Sequence, residues 1–302
     1  MALNFAEILT DAQKRGRKRL VLAPAREERF IEVISEAVIA SIVTPIFVGD
    51  GKVIEKLLKG TSISSGNYEI IDVPDYQKAV STAINMIKEN RGDILMQGAV
   101  PHQFFVDAIQ DRENGLLRGS LTSFVSLFEM PQRDRLAMVT DSYVNNFPTL
   151  AEKKMIVENA VRLANVLGIR SPKIAALAAI EQVNPAIPST LDAAVLSKMS
   201  GRKQFGDVTI EGPLDIDCAV SEMAAARKGV DSVVTGNVDI YLAPDIEAGY
   251  SLSQLFVFVS RMPMAGVLMG TSRPVILDMP FVSTDNKLTE VAMAVLLCDR
   301  GG

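Results

Sequence analysis

Apolar runs of strand length punctuate the chain, and most end at Gly, Pro, Asn or Asp, as buried strands do where they feed into loops. In the first half, runs at 19–24, 44–49, 68–73 and 93–96 alternate with stretches of helical spacing at 27–40, 52–58, 76–90 and 103–110. Strand, helix, strand with short connections predicts right-handed βαβ units and a mainly parallel sheet. Two strand-like runs, 121–130 and 135–140, break this rhythm; the turn 131–134 joins them into an expected hairpin, beside which the first domain boundary is placed. The alternation resumes with an amphipathic helix over 150–167. It is apolar at Ile156, Ala160, Leu163 and Leu167, polar at Glu152, Lys153, Glu158 and Arg162, and stopped by Gly168. Elements at 173–180, 191–199, 208–210, 218–227 and 232–234 continue the pattern. No internal repeat or low-complexity linker interrupts it, so two domains joined by crossing strands are expected, with ligand in the cleft between them.

The segment 230–287 is the richest in turns suited to holding an anion. Its short apolar runs end in Thr235-Gly236-Asn237, in Pro244-Asp245, in Gly270-Thr271-Ser272-Arg273 and in Asp278. Loops of this kind, at the carboxyl ends of strands, are where open α/β sheets bind ligands. Gly249-Tyr250-Ser251 is read as opening a helix over 252–262, and the amides of a helix start can hold phosphate. The alternative is that Gly249 and Gly270 serve tight turns only.

Composition narrows the function classes. A chain of 302 residues, 48% hydrophobic and 22% charged, can bury two domain cores. A formal net charge of −5 argues against a nucleic-acid surface, which needs clustered excess Lys and Arg. The amino terminus has an early acid, Glu7, and no apolar core of a secretory signal. No apolar run approaches the roughly 18 residues of a membrane helix, so a soluble cytoplasmic protein without a membrane partner is expected. Cys218 and Cys298 read as buried apolar residues rather than a disulfide. His102 is the single histidine, which excludes a multi-histidine metal site. It stands at a helix start just after Gly98, which ends a strand; it is either a plain helix-start residue or a group on the rim of the ligand site.

Eight ordered motifs carry a resemblance. They are Ile94-Leu-Met-Gln-Gly98, Val139-Thr140-Asp141, Pro172-Lys-Ile-Ala175, Glu181-Gln-Val-Asn184-Pro185, Thr190-Leu-Asp-Ala-Ala194, Gly212-Pro-Leu-Asp215-Ile-Asp217, Pro244-Asp245-Ile-Glu-Ala-Gly249 and Arg273-Pro-Val-Ile-Leu277. The chain from Leu20 to Leu297 thereby resembles the phosphate acetyltransferase and phosphate butyryltransferase family, nearer the butyryl branch. The resemblance implies two αβα domains with mainly parallel sheets and an interdomain cleft, like isocitrate and isopropylmalate dehydrogenases. It sends the last helix, 288–297, back to the first domain, giving 1–134 plus 278–302 and 135–277. It also implies a homodimer, acyl-CoA and phosphate as partners, coenzyme A as substrate rather than bound cofactor, and no metal.

Such chemistry needs donors for phosphate, donors for a tetrahedral oxyanion, and a way to form the thiolate. The resemblance assigns substrate contacts to Gly98, Thr140, Asp141, Asp245, Gly249, Tyr250, Gly270, Thr271, Ser272, Arg273 and Ser283. Arg118 matches a loop arginine of the family, whose planar fork suits phosphate. One departure falls at the chemistry. Butyryltransferase-like members follow the apolar strand with Thr-Ser-Arg-Ala-Asp-Ser, where this chain has Asp278, Met279, Pro280, Phe281, Val282 and Ser283. Family lysines are likewise Gln97 and Gln254, and a family asparagine is Tyr250. Asp278 and Asp285 are therefore the expected replacement bases, beside Arg118. A degenerate paralogue that binds an acyl-CoA or another phosphate-bearing metabolite without turnover is the competing reading. A metal-dependent dehydrogenase is a third, but Asp215, Asp217, Asp239 and Asp245 show no spacing that commits them to one metal.

Overall fold

A computed structural model describes residues 4–64, 66–130, 135–279 and 281–299. The chain begins α1 (Phe5–Gln13), β1 (Lys18–Ala23), α2 (Glu28–Ile39), β2 (Val43–Gly49), α3 (Gly51–Leu58), β3 (Glu69–Asp72), α4 (Tyr76–Lys88), β4 (Ile94–Gln97) and α5 (His102–Gln110). It continues β5 (Ser123–Met130), β6 (Arg135–Thr140), α6 (Leu150–Val166), β7 (Lys173–Leu177), α7 (Pro188–Gly201), β8 (Thr209–Leu214), α8 (Ile216–Val220), α9 (Glu222–Lys228) and β9 (Ile240–Leu242). It closes with α10 (Ile246–Gln254), a π-helical turn (Leu255–Val259), β10 (Met264–Met269), β11 (Val275–Ile276) and α11 (Thr284–Asp299).

These elements form two compact units, Asn4–Thr122 with the residues from Ala265 onward, and Ser123–Met264. In the discontinuous unit the strand order is β3-β2-β1-β4-β11-β10. All neighbours there are parallel except β10, which runs against β11. In the continuous unit the order is β5-β6-β9-β7-β8, parallel apart from the β5–β6 hairpin. The parallel α/β reading therefore holds in both units. The boundaries do not fall at 134/135 and 277/278. β5 pairs with β6 down to Met130↔Arg135 and cannot be split from it, and β11 pairs with β4 through Val275↔Leu95 and Ile276↔Met96.

Local chemistry explains the element ends. Thr149 and Glu152 form a reciprocal capping box that starts α6, and Pro188 opens α7, where its missing N–H costs nothing. The helix read over 218–227 is two helices, broken where the Ser221 hydroxyl accepts from Ala224 N and caps α9. The strand read at 232–234 is absent: Val233 is exposed, and Ile240–Leu242 takes the buried place between β6 and β7. Asp245 caps α10 by accepting from Ala248 N at 2.8 Å, so that helix begins at Ile246, ahead of the expected 252.

Candidate active site

In the discontinuous unit the loops after β1, β4 and β11 leave the sheet at the carboxyl ends of parallel strands. Gly98 lets two of them touch, since a Cβ there would lie 2.0 Å from the Pro24 carbonyl oxygen. Gln97 ties in the third: its Oε1 accepts from Asp278 N at 3.0 Å and its Nε2 donates to Val100 O at 3.3 Å. Two of the positions where this chain departs from its resemblance, Gln97 and Asp278, are thus bonded to each other.

Asp278 anchors a chain of charges. The Arg29 guanidinium donates to both carboxylate oxygens, at 2.8 and 2.7 Å, and also to Glu27 at 2.7 Å while lying 4.1 Å over the Phe30 ring. Its pKa is raised, first by the bond to Asp278, with desolvation opposing. Lys287 Nζ, on α11, lies 3.3 Å from Asp278 Oδ1 and 3.9 Å from Glu290 Oε2, ion-pair distances without hydrogen-bond geometry. Glu290 is fully buried: Oε1 accepts from Gly266 N at 3.0 Å, and Oε2 has no hydrogen-bond partner. Burial pushes its carboxyl up to about 7 despite the pull of Lys287 and of the Gly266 amide. His102, half-buried at the start of α5, is held below its ordinary 6.5 by burial, while the Asp278 charge pulls it the other way.

The remaining expectations in this unit separate. Asp285 and Ser283 are exposed at the start of α11, where the Ser283 hydroxyl accepts from Asn286 N at 3.4 Å. Asp278, one of the expected replacement bases, has both oxygens bonded to Arg29 and so also anchors a guanidinium. Met279 and Val282 are buried core residues; Pro280 lies outside the described residues. Gly270, Thr271, Ser272 and Arg273 precede β11 and therefore stand at the amino ends of the parallel strands, opposite Asp278. The backbone of that turn is already bonded, Ser272 N to Leu116 O at 2.7 Å and Arg118 N to Gly270 O at 3.0 Å. The Arg273 guanidinium reaches Asn90 at 2.7 Å, and Arg118 is an exposed loop residue. The expected anion cradle is thus held by backbone bonds to the 116–118 loop and lies at the opposite strand ends from Asp278.

In the continuous unit the loops after β6 and β9 meet. The Thr140–Asp141 peptide is cis, and the Thr140 hydroxyl donates to Phe124 O at 3.3 Å. Asp141, fully buried, accepts from the backbone amides of Phe124, Tyr143, Val144 and Asn145 at 3.2, 2.9, 3.2 and 3.0 Å, and from the Asn145 side chain. Burial raises its pKa, and these donors offset only part of the rise. Gly249 is inside α10, where a Cβ would meet Asp141 O at 2.3 Å, so glycine permits this close approach rather than opening a helix. Tyr250 stands half-exposed with its ring centroid 5.9 Å from that of Tyr143. Thr140, Asp141, Asp245, Gly249 and Tyr250 are therefore brought together, but both carboxyls serve backbone amides.

A second cluster, beyond β7 and β8, gathers Glu181, Asp215, Asp217 and Cys218. The Lys228 ammonium stands among the three carboxylates, 2.6 Å from Glu181, 2.8 Å from Asp217 and bonded to Asp215, so a cation already occupies it. Its bond holds Asp217 down at about 2, and burial pushes the Cys218 thiol up to about 12. Sequence reasoning missed Arg29, Lys287 and Glu290. The readable signal for Arg29 was its place in the first turn of a helix directly after a strand, where α/β sheets face ligand.

The chain matches the family model "Phosphate acetyl/butaryl transferase" over residues 74–295. It is 36% identical over 297 residues to the phosphate butyryltransferase of Clostridium acetobutylicum, covering 98% of this chain and 99% of that one. The phosphate acetyltransferase of Thermotoga maritima is 32% identical over 292 residues, covering 97% and 99%. The crystal structure of a branched-chain phosphotransacylase from Enterococcus faecalis V583 superposes with a TM-score of 0.80 at 25% identity, covering 92% and 99%.

Proposed function

The chain belongs to the phosphate acetyl/butaryl transferase family, and on that premise we propose that it moves a short acyl group between coenzyme A and inorganic phosphate. Acyl-CoA and phosphate give acyl phosphate and free coenzyme A; no electron changes hands. The observation that carries the reading is the near-complete coverage of a phosphate butyryltransferase at 36% identity. The half-exposed Arg29 guanidinium, already paired with Asp278 and Glu27, and the buried Lys287 lend positive charge to the strand-end loops around Gly98, which suits the substrates' anionic groups. Coenzyme A enters as a substrate, without a resident cofactor.

A homodimer belongs to the same reading. Leu255, Phe258 and Val259 expose apolar side chains on a single turn, at 50%, 64% and 71%, which a second copy would cover. A cytoplasmic location fits a substrate as polar as coenzyme A; among the described residues no helix is long and apolar enough to cross a membrane.

The test is phosphate-dependent release of free thiol from acetyl-, propionyl- and butyryl-CoA, alongside calorimetric binding of coenzyme A. Turnover that requires phosphate is the expected result. Tight binding without turnover from any of the three would replace the enzyme reading with a binding protein.

A further inference from the structure

Transfer to or from coenzyme A requires the thiol to lose its proton, and an ordinary thiol, near 8.5, holds that proton at neutral pH. The acids at the strand ends of the discontinuous unit are poorly placed to take it. Asp278 has both oxygens on Arg29, Glu290 is fully buried behind Lys287, and Asp285 is solvent-exposed on α11. The residues standing where the resemblance would put polar loop groups, Met279 and Val282, are apolar and buried.

We propose that His102 is the proton acceptor for the coenzyme A thiol, an inference that rests on the acyl-transfer reading. Two observations carry it. His102 is the first residue of α5, at the carboxyl end of β4, where the Gly98 and Pro24 loops touch. Gln97 binds both the Asp278 amide and the Val100 carbonyl, so a single side chain holds the anchor of the charged cluster and the loop that presents the imidazole. Burial keeps the ring below 6.5, leaving it neutral and able to accept a proton at pH 7. The charges around it are Asp278 and, through Asp278, Arg29 from α2 and Lys287 from α11; α4 meets α5 through the Tyr76–Phe104 ring contact.

In the direction of acyl-CoA synthesis, the thiol proton passes to the imidazole and the sulfur forms a bond to the acyl carbon. The carbon–oxygen bond to phosphate then breaks, and the imidazolium returns its proton to the departing oxygen, which leaves as hydrogen phosphate. The reverse direction retraces these steps. Nothing is oxidised or reduced.

His102→Gln should lower kcat by about 10²-fold or more with KM for acyl-CoA little changed, since a positioned base contributes roughly 10²- to 10⁴-fold. The wild-type rate should fall on the acid side with a midpoint below 6.5, and the variant should lose that limb. Because the chain has one histidine, its NMR titration in the wild-type protein must coincide with the kinetic limb, a reading that needs no variant to fold. An active wild type with an unaffected His102→Gln variant, or a histidine titration displaced from the limb, overturns the role of His102 alone. A wild type inactive with every acyl-CoA overturns the acyl-transfer reading and the base with it.

Discussion

Asp141 and Glu290 are both fully buried carboxyls, one in each compact unit, and the protein treats them oppositely. Asp141 is the hub of a loop, with four backbone amides and an asparagine side chain aimed at it. Glu290 has one amide, one oxygen without a hydrogen bond, and a lysine 3.9 Å away. Burial penalises charge in both, but only the first is met by a set of donors. The lesson is that a buried acid near a strand end is a scaffold where the backbone converges on it and a titrating group where the backbone does not.

The largest effect should come from Asp141→Ala. It leaves four backbone amides, one buried and three part-buried, without their acceptor, and at roughly 1–3 kcal/mol for each unpaired group the loss should exceed about 3 kcal/mol even after partial relaxation. Urea unfolding measures it; a loss under about 1 kcal/mol would mean the loop does not depend on its hub.

Glu290→Gln probes the other side. Because the folded-state pKa lies above the ordinary 4.5, the stabilising contribution is complete below 4.5 and is lost as pH rises through about 7. Relative to wild type, the Gln variant should therefore gain stability between those limits, by up to roughly 3 kcal/mol at pH 8. Thermal unfolding at pH 5 and pH 8 reads the difference, and a pH-independent gap would break the comparison.

Gly249→Ala should destabilise the α10–loop contact by about 1–3 kcal/mol, since the new methyl meets the Asp141 carbonyl oxygen at 2.3 Å. A neutral result in the same unfolding assay would show that the helix can move away. Smallest is Arg29→Ala: its side chain is 46% exposed, and solvent screening should limit the stability loss to about 1 kcal/mol although the bond to Asp278 is bidentate.

The fold was largely legible because each βαβ unit writes its own periodicity; the runs at 19–24, 44–49 and 93–96 became β1, β2 and β4. The unit boundaries were not, because strand pairing rather than the turn at 131–134 decides where β5 belongs. Thr140, Asp141 and Asp245 were read correctly as strand-end residues, and the cap at Asp245 was readable from the residues that follow it. Gly249 misled because a glycine needed for close approach inside a helix looks, in sequence, like one that opens a helix. The place of Arg29 just after a strand was readable but its pairing was not: Asp278 lies 249 positions away, and no local pattern encodes that bond. For Arg273, adjacency to a glycine turn does not say at which end of the strand the turn lies; the pairing of β11 with β4 does.

The most direct test of the account follows the phosphorus. Incubated with butyryl-CoA and inorganic phosphate, the purified protein should produce a new acyl phosphate signal in ³¹P NMR that grows as the phosphate signal falls and vanishes when phosphate is omitted. Thiol release without an acyl phosphate signal would identify a hydrolase, and no change in either signal would contradict acyl transfer by this chain.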